Sequence, residues 1–376
     1  MLIIIELKKC IIILLLLFIV FLLGTGSGYY YSIIEKNKSK PVINQEINQK
    51  LQIAVQKIID IRNEAVLKNK KELVEQLYNT EIRNGIWAYE HETQRINYLH
   101  NWAQKQDIKF NEINSEVKIR SSQEKENGFL VNLLIATEYN YQYKGSSKTN
   151  TFRLGTYHSL KLTSHKGKLL ISREWYKDPF SSSLNYKEKL NQNIHNIISS
   201  SKPKDYNQLN SSRKAAIEYA DKYCGAASLP EYEYQYNSDY KNYNYLGGDC
   251  ANFASQIIHE GGGLAKTGIW NYRGSKGSKA WVNAQSFHNY MINSGRGSII
   301  ARGNYKNILK DSYRLLPGDY IAYEKSGSVV HISVVTGQDS RGYVLVNSHN
   351  TDRYRVPWDL GWNNYNIKFN LVRVNY

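Results

Sequence analysis

GGDCANFASQIIHEGG, residues 247–262, decides how the rest of this chain is read. Gly247 and Gly248 permit a tight approach, and Asp249 is a residue type favoured at a helix N-cap. Ala251, Ala254, Ile257 and Ile258 then recur at helical spacing until Gly261, Gly262 and Gly263 stop the run. The expectation is a loop followed by a helix of about three turns with Cys250 at its start. Backbone N–H groups there are unsatisfied and carry partial positive charge, so they lower a thiol's pKa and can hold an oxyanion. Cys250 is thereby a candidate nucleophile, beside the plainer reading of a free cysteine as a small buried hydrophobe.

LPGDYIAYEKSGSVVHISVVTG, residues 316–337, supplies the second element. Tyr320, Ala322 and Tyr323 lead into a polar turn at 325–328, and the β-branched, alternating return run predicts a hairpin. His331 lies on the returning strand, sharing one face with Ser333 and Val335. Residues 342–347 follow another polar turn and can form the next antiparallel strand, which puts residues 347–349 opposite His331. An imidazole acting as base needs its second nitrogen held by an acceptor. Asn347 can do that, His349 competes, and parity does not choose between them.

These segments resemble the Putative amidase domain family of the papain-like, NlpC/P60-related cysteine peptidase superfamily, across residues 206–376. The matching stretches are YNQLNSSRKAAIEYADKYC at 206–224, GGDCANFASQIIHEGGG at 247–263 and KAWVNAQSFHNYM at 279–291. PGDYIAYEKSGSVVHISVVTG at 317–337 and VNSHNTDRY at 346–354 complete the set. The resemblance implies Cys250 as nucleophile, His331 as general base and Asn347 as the residue that orients the base. It also implies an upstream tyrosine assisting the oxyanion, for which Tyr236, Tyr240, Tyr243 and Tyr245 compete. The papain signature C-G-[SA]-C-[WY] is absent around Cys250.

At the other end, Lys8 and Lys9 precede an apolar run, 10–23, and then small residues 24–28. That pattern predicts a signal peptide, or, counted through Tyr29, Tyr30 and Tyr31, an uncleaved single-pass signal anchor with the remainder outside the cell. Either predicts export. The chain has three cysteines, Cys10, Cys224 and Cys250, too few for a disulfide framework. The one rival to a reactive Cys250 is a bond to Cys224. A formal charge of +16 favours anionic surfaces; for an exported protein these are wall polymers rather than nucleic acid, and the scattered basic residues also fit an ordinary solvated surface.

Between the two ends, the expected order is a signal segment at 1–31, a linker at 32–43, an accessory domain at 44–180, a second linker at 181–205 and the amidase domain at 206–376. In the accessory domain Leu51, Ala54, Val55, Ile58 and Ile59 keep helical spacing. Ile82, Ile86, Tyr89, Ile96, Leu99 and Ala103 do so again. Phe129, Val131, Leu133 and Ile135 then alternate, and 151–163 and 168–175 read as strands. Helices followed by an antiparallel sheet predict an α+β fold, loosely resembling NTF2-like domains. The fold class expected for the chain is thus α+β: a membrane helix, an NTF2-like domain, then a papain-like catalytic domain.

Other chemistries fit poorly. Ser211 to Lys214, Ser238-Asp239 and Lys266-Thr267-Gly268 imitate the marks of penicillin-recognising serine enzymes, but their spacing leaves no room for the helical subdomain and Tyr240 replaces the expected Asn. His259-Glu260 lacks the second histidine of a zinc site, and no phosphate-cradling loop occurs. No cofactor and no metal are expected. The expected function is that of an exported thiol amidase or peptidase acting on cell-wall peptide amides, the alternative being a non-catalytic envelope-binding scaffold.

Overall fold

Apolar periodicity accounts for the two long helices. In the computed structural model, which describes residues 45–186, 191–364 and 366–376, α1 (Gln45–Lys68) buries Leu51, Val55, Ile58 and Ile59. Helix α2 (Arg83–Gln106) buries Ile96, Leu99, Trp102 and Ala103, one stripe of a 3.6-residue repeat. Ile82 and Ile86, read as part of that stripe, are exposed, and Ile82 is the N-cap residue. Asp107 ends α2 in the left-handed region at φ +58, with its N–H on the carbonyls of Ala103 and Gln104. The expected segments 1–31 and 32–43 lie outside the described residues.

Four antiparallel strands follow: β1 (Ile108–Lys125), β2 (Gly128–Tyr143), β3 (Thr149–His165) and β4 (Lys168–Tyr176). Strand β1 pairs with β2 from Ile108↔Tyr143 to Lys125↔Gly128, although its polar sequence predicted no strand. The remainder runs α3 (Gln192–Ser200), α4 (Ser211–Lys222), α5 (Cys250–Gln256, continued by a π turn over Ile257–Gly261), α6 (Ala284–Asn293), β5 (Gly297–Gly303) and α7 (Tyr305–Ser312). Then come β6 (Tyr320–Lys325), β7 (Ser328–Gln338), β8 (Val344–Ser348), β9 (Asp352–Pro357) and β10 (Ile367–Val374). The β6–β7 hairpin turns through Ser326 and Gly327, both at positive φ, the backbone that a tight two-residue turn requires.

The fold class differs from expectation. Strand β9 pairs with β3 through Asp352↔Gly155, Arg353↔Leu154 and Tyr354↔Arg153. One ten-stranded sheet of order β1-β2-β3-β9-β8-β7-β6-β10-β5 results, with β4 also on β3. The expected series of a membrane helix, an NTF2-like domain and a separate papain-like domain is therefore corrected to a mixed α/β architecture. Residues Gln49–Tyr376 form one compact unit. No helix among the described residues is long and apolar enough to cross a membrane.

Buried polar bonds reinforce the seam. Trp102 Nε1 and Lys105 Nζ both donate to Asp359, the first at 3.1 Å. Tyr141 and Tyr143 donate to Asp339 at 2.9 and 2.6 Å. Arg353 donates to Leu360 O and Pro179 O, both at 2.7 Å. These groups have left water, so each needs its partner in the fold.

Candidate active site

The start of α5 is set from below by a turn that needs glycine. Gly248 has φ +127, and a Cβ there would lie 2.8 Å from Asn350 Nδ2. Asp249 takes the N-cap position without capping the helix. Its Oδ1 accepts from Tyr243 N at 2.8 Å and Asn252 Nδ2 at 2.9 Å, and its Oδ2 lies 2.6 Å from His349 Nδ1. His349 Nε2 stands 2.8 Å from Tyr223 O, an atom that can only accept, so both ring nitrogens carry protons when Asp249 is ionised. Burial opposes that charge, but the Asp249 hydrogen bond and carboxylate outweigh it and raise the His349 pKa. The ring is clamped flat on Phe253, centroids 3.6 Å apart, with Tyr236 at its edge.

Cys250 opens the helix and is 6 % exposed. Its pKa is pushed up to about 11: burial raises it most and Asp249 adds to this, while the N–H groups of Ile332 and Ala251 and the Lys177 charge pull it down. The expected depression of the thiol pKa is thus corrected, because desolvation of the sulfur exceeds the help of the helix start. Ile332 N–H is free to face sulfur because the β7–β8 ladder stops at Val334↔Asn347.

His331 adjoins Ile332 on the other side of this gap. It pairs with Tyr323 and shares that residue's face, with its ring stacked on Trp362 at 4.8 Å. Nε2 is 3.3 Å from Ser348 Oγ. Burial, then Arg353 and Lys177, hold its pKa well below 6.5, so the imidazole is neutral at physiological pH. Cys250 belongs to the same buried cluster as Ile332 and Val334. Among the described residues no hydrogen bond joins sulfur and imidazole; the N–H of Ile332, the residue next to His331, faces the sulfur.

Asn347 is engaged elsewhere. Its Nδ2 donates to Ala220 O at 3.1 Å and Asp221 Oδ1 at 3.0 Å, and its Oδ1 accepts from Thr336 Oγ1 and Arg355 N, both at 2.7 Å. The β7–β8 register explains this. A bulge between Leu345↔Gly337 and Val346↔Val335 puts Val346 and Ser348 on the His331 face and turns Asn347 and His349 away. Sequence parity alone could not see that extra residue.

The other cysteine and most of the upstream tyrosines have partners of their own. Cys224 and Cys250 are both free, and Cys224 donates to Arg353 O at 2.7 Å. Tyr236 donates to Asp352, Tyr240 to Glu260, and Tyr243 OH accepts from Gly277 N at 3.1 Å. Tyr245 is 80 % exposed. Among the described residues no cluster of His, Cys, Asp or Glu could hold a metal ion.

Sequence reasoning missed Lys177, which follows β4 and comes from the accessory half. Its charge acts on both Cys250 and His331, and its ammonium donates to Asn350 Oδ1. A lysine after the EWY of 174–176 carries no local signal; only the β3–β9 seam brings it here.

Comparison with known proteins bears on this part of the chain. Residues 210–372 match the family described as Putative amidase domain. The match supports an amidase-like function and stops short of the wider papain-like superfamily. The chain is 31 % identical over 153 residues to the Uncharacterized protein YhbB of Bacillus subtilis (strain 168), covering 39 % of this chain. It spans 43 % of that relative's length. Among solved structures, the Putative Scytalone Dehydratase of Novosphingobium aromaticivorans aligns at TM-score 0.25 and 10 % identity, over 36 % of this chain and 87 % of that one. The intermembrane space region of the chloroplast protein ARC6 aligns at 0.23 and 8 %, over 33 % and 95 %.

Proposed function

We propose that this protein hydrolyses amide bonds, with Cys250 as nucleophile and His331 as general base. The observation that carries the reading is the Cys250 sulfur at a helix start, facing the N–H of Ile332, the neighbour of His331. With thiol and imidazole both neutral at rest, His331 takes the thiol proton as sulfur attacks the carbonyl carbon, after its ring turns from Ser348 toward the gap. Backbone N–H groups around the sulfur stabilise the oxyanion. The C–N bond breaks as the imidazolium protonates the leaving amine. Water, deprotonated by His331, then attacks the thioester, and the C–S bond breaks to release a carboxylic acid and the thiol. Ser348 steadies the resting imidazole; Asn347 supports β8 from the other face.

We further propose an exported enzyme acting on cell-wall peptide amides, on the strength of the basic and apolar N-terminal sequence and the +16 charge. Purified wall incubated with the protein should release new amino groups, and Cys250→Ala should abolish the release. Wall that yields none with the unaltered protein removes the proposal. A second reading, a non-catalytic envelope-binding protein, is favoured by one observation, the thiol pKa raised to about 11. It predicts wall binding without release.

A further inference from the structure

A cavity of about 290 Å³ opens beside His331, walled by Lys177 and Pro179 from the accessory half and by Lys325, Asn350, Arg353 and Trp362 from the amidase half. Its cations outnumber its carboxylates. Arg353 is 2 % exposed and spends Nη1 and Nη2 on two backbone carbonyls, while Nε is buried without a partner. Arg353 makes no direct ion pair among the described residues, although the charges of Asp178 and Asp359 act on it from a distance. Asp178 also touches the cavity, but its carboxylate is committed to His91 at 2.7 Å and to Phe180 N at 2.7 Å. Lys177 stands at the rim, holding Asn350 through one of its protons and keeping the others for a ligand. With Lys177, Lys325 and Arg353 in its wall against the one carboxylate of Asp178, the cavity carries a positive potential that favours an anion.

We propose that this cavity binds a carboxylate of the substrate, between the Lys177 ammonium and the Arg353 charge, and so selects anionic peptides for the reaction in which His331, on the cavity wall, serves as base. The inference rests on the amidase reading and names its substrate class. It also makes the accessory half part of the site. A bound carboxylate would offset the positive field that Lys177 and Arg353 impose on His331, and the imidazole would become the stronger base when the right substrate is present.

The test uses the full chain carrying Cys250→Ala, so that binding is read without turnover. N-acetyl-Ala-Ala with a free carboxylate and its carboxamide are titrated separately, following intrinsic tryptophan fluorescence and heat. The carboxylate should bind about tenfold more tightly, as one charge-assisted hydrogen bond warrants. Adding Lys177→Gln should erase most of that preference and Lys177→Arg should preserve it, with circular dichroism checking the fold of each. Equal binding of the two peptides, binding of neither, or a preference that survives Lys177→Gln overturns the proposal. Failure of the unaltered protein to release amines from wall would instead sink the amidase reading, and the peptide titration would still stand by itself.

Discussion

Ser348 Oγ lies 3.3 Å from His331 Nε2, across the gap where β7 and β8 separate, while the neighbouring Asn347 amide points to the opposite face. The two side chains should fail differently when removed. Ser348→Ala is expected to lower kcat with little change in melting temperature. Asn347→Ala leaves the partners of a buried amide unsatisfied and should destabilise the fold by about 1–3 kcal/mol, read from urea unfolding. His331→Gln should reduce turnover about 10²–10⁴-fold, as loss of a general base does.

Cys250 should be slow to alkylate near neutral pH. With its pKa at about 11, iodoacetamide labelling should keep accelerating as pH rises toward that value instead of levelling off below pH 7. Intact-mass analysis across a pH series reads this directly. Cys224, buried with its pKa raised by desolvation and nearby carboxylates, should stay unmodified in the folded protein.

The Asp249–His349 pair predicts a pH-dependent stability. The folded pKa of His349 lies above its usual 6.5, so the pair's contribution is complete below pH 6.5 and is lost as pH rises through the raised value. Asp249→Asn removes the carboxylate from a buried imidazolium and should cost about 3–5 kcal/mol at acidic to neutral pH. The same variant should flatten the pH profile of the melting temperature.

Continuity of the sheet predicts cooperative unfolding of the two halves. Near-ultraviolet dichroism and tryptophan fluorescence should report one coincident transition in urea. Asp359→Ala leaves Lys105 buried without its carboxylate and should lower stability by about 3–5 kcal/mol. Gly155→Ala acts at the seam itself, where a Cβ would come 2.3 Å from the Ala226 carbonyl carbon. It should destabilise by about 1–3 kcal/mol through overpacking.

Local order was legible wherever one periodicity dominated. The helix that begins at Cys250, the hairpin at 320–335 and the strands after Phe129 correspond to α5, β6 with β7, and β2 to β4. Strand β1 was not legible, because its outward face is polar and a bulge between Phe110 and Glu112 shifts its buried apolar residues from Ile108 and Phe110 to Ile113 and Val117, breaking the alternation. Strand β9, DRYRVP, hides for another reason: the terminal nitrogens of its arginines bond the carbonyls of Leu360 and Pro179 and the carboxylate of Asp221, the last two distant in sequence. The bulge that moved Ser348 rather than Asn347 onto the His331 face has no composition signal either.

By itself the amino-acid sequence determined the helix that begins at Cys250, the hairpin that carries His331 and the family resemblance of the C-terminal half, because turn chemistry and apolar spacing act over a few residues. Tertiary structure alone decided that both halves share one sheet, that burial leaves the thiol protonated, and that Lys177 reaches the site from the far half. Each of those outcomes depends on which surfaces exclude water and which charges then stand near one another, and chain-local spacing does not encode that.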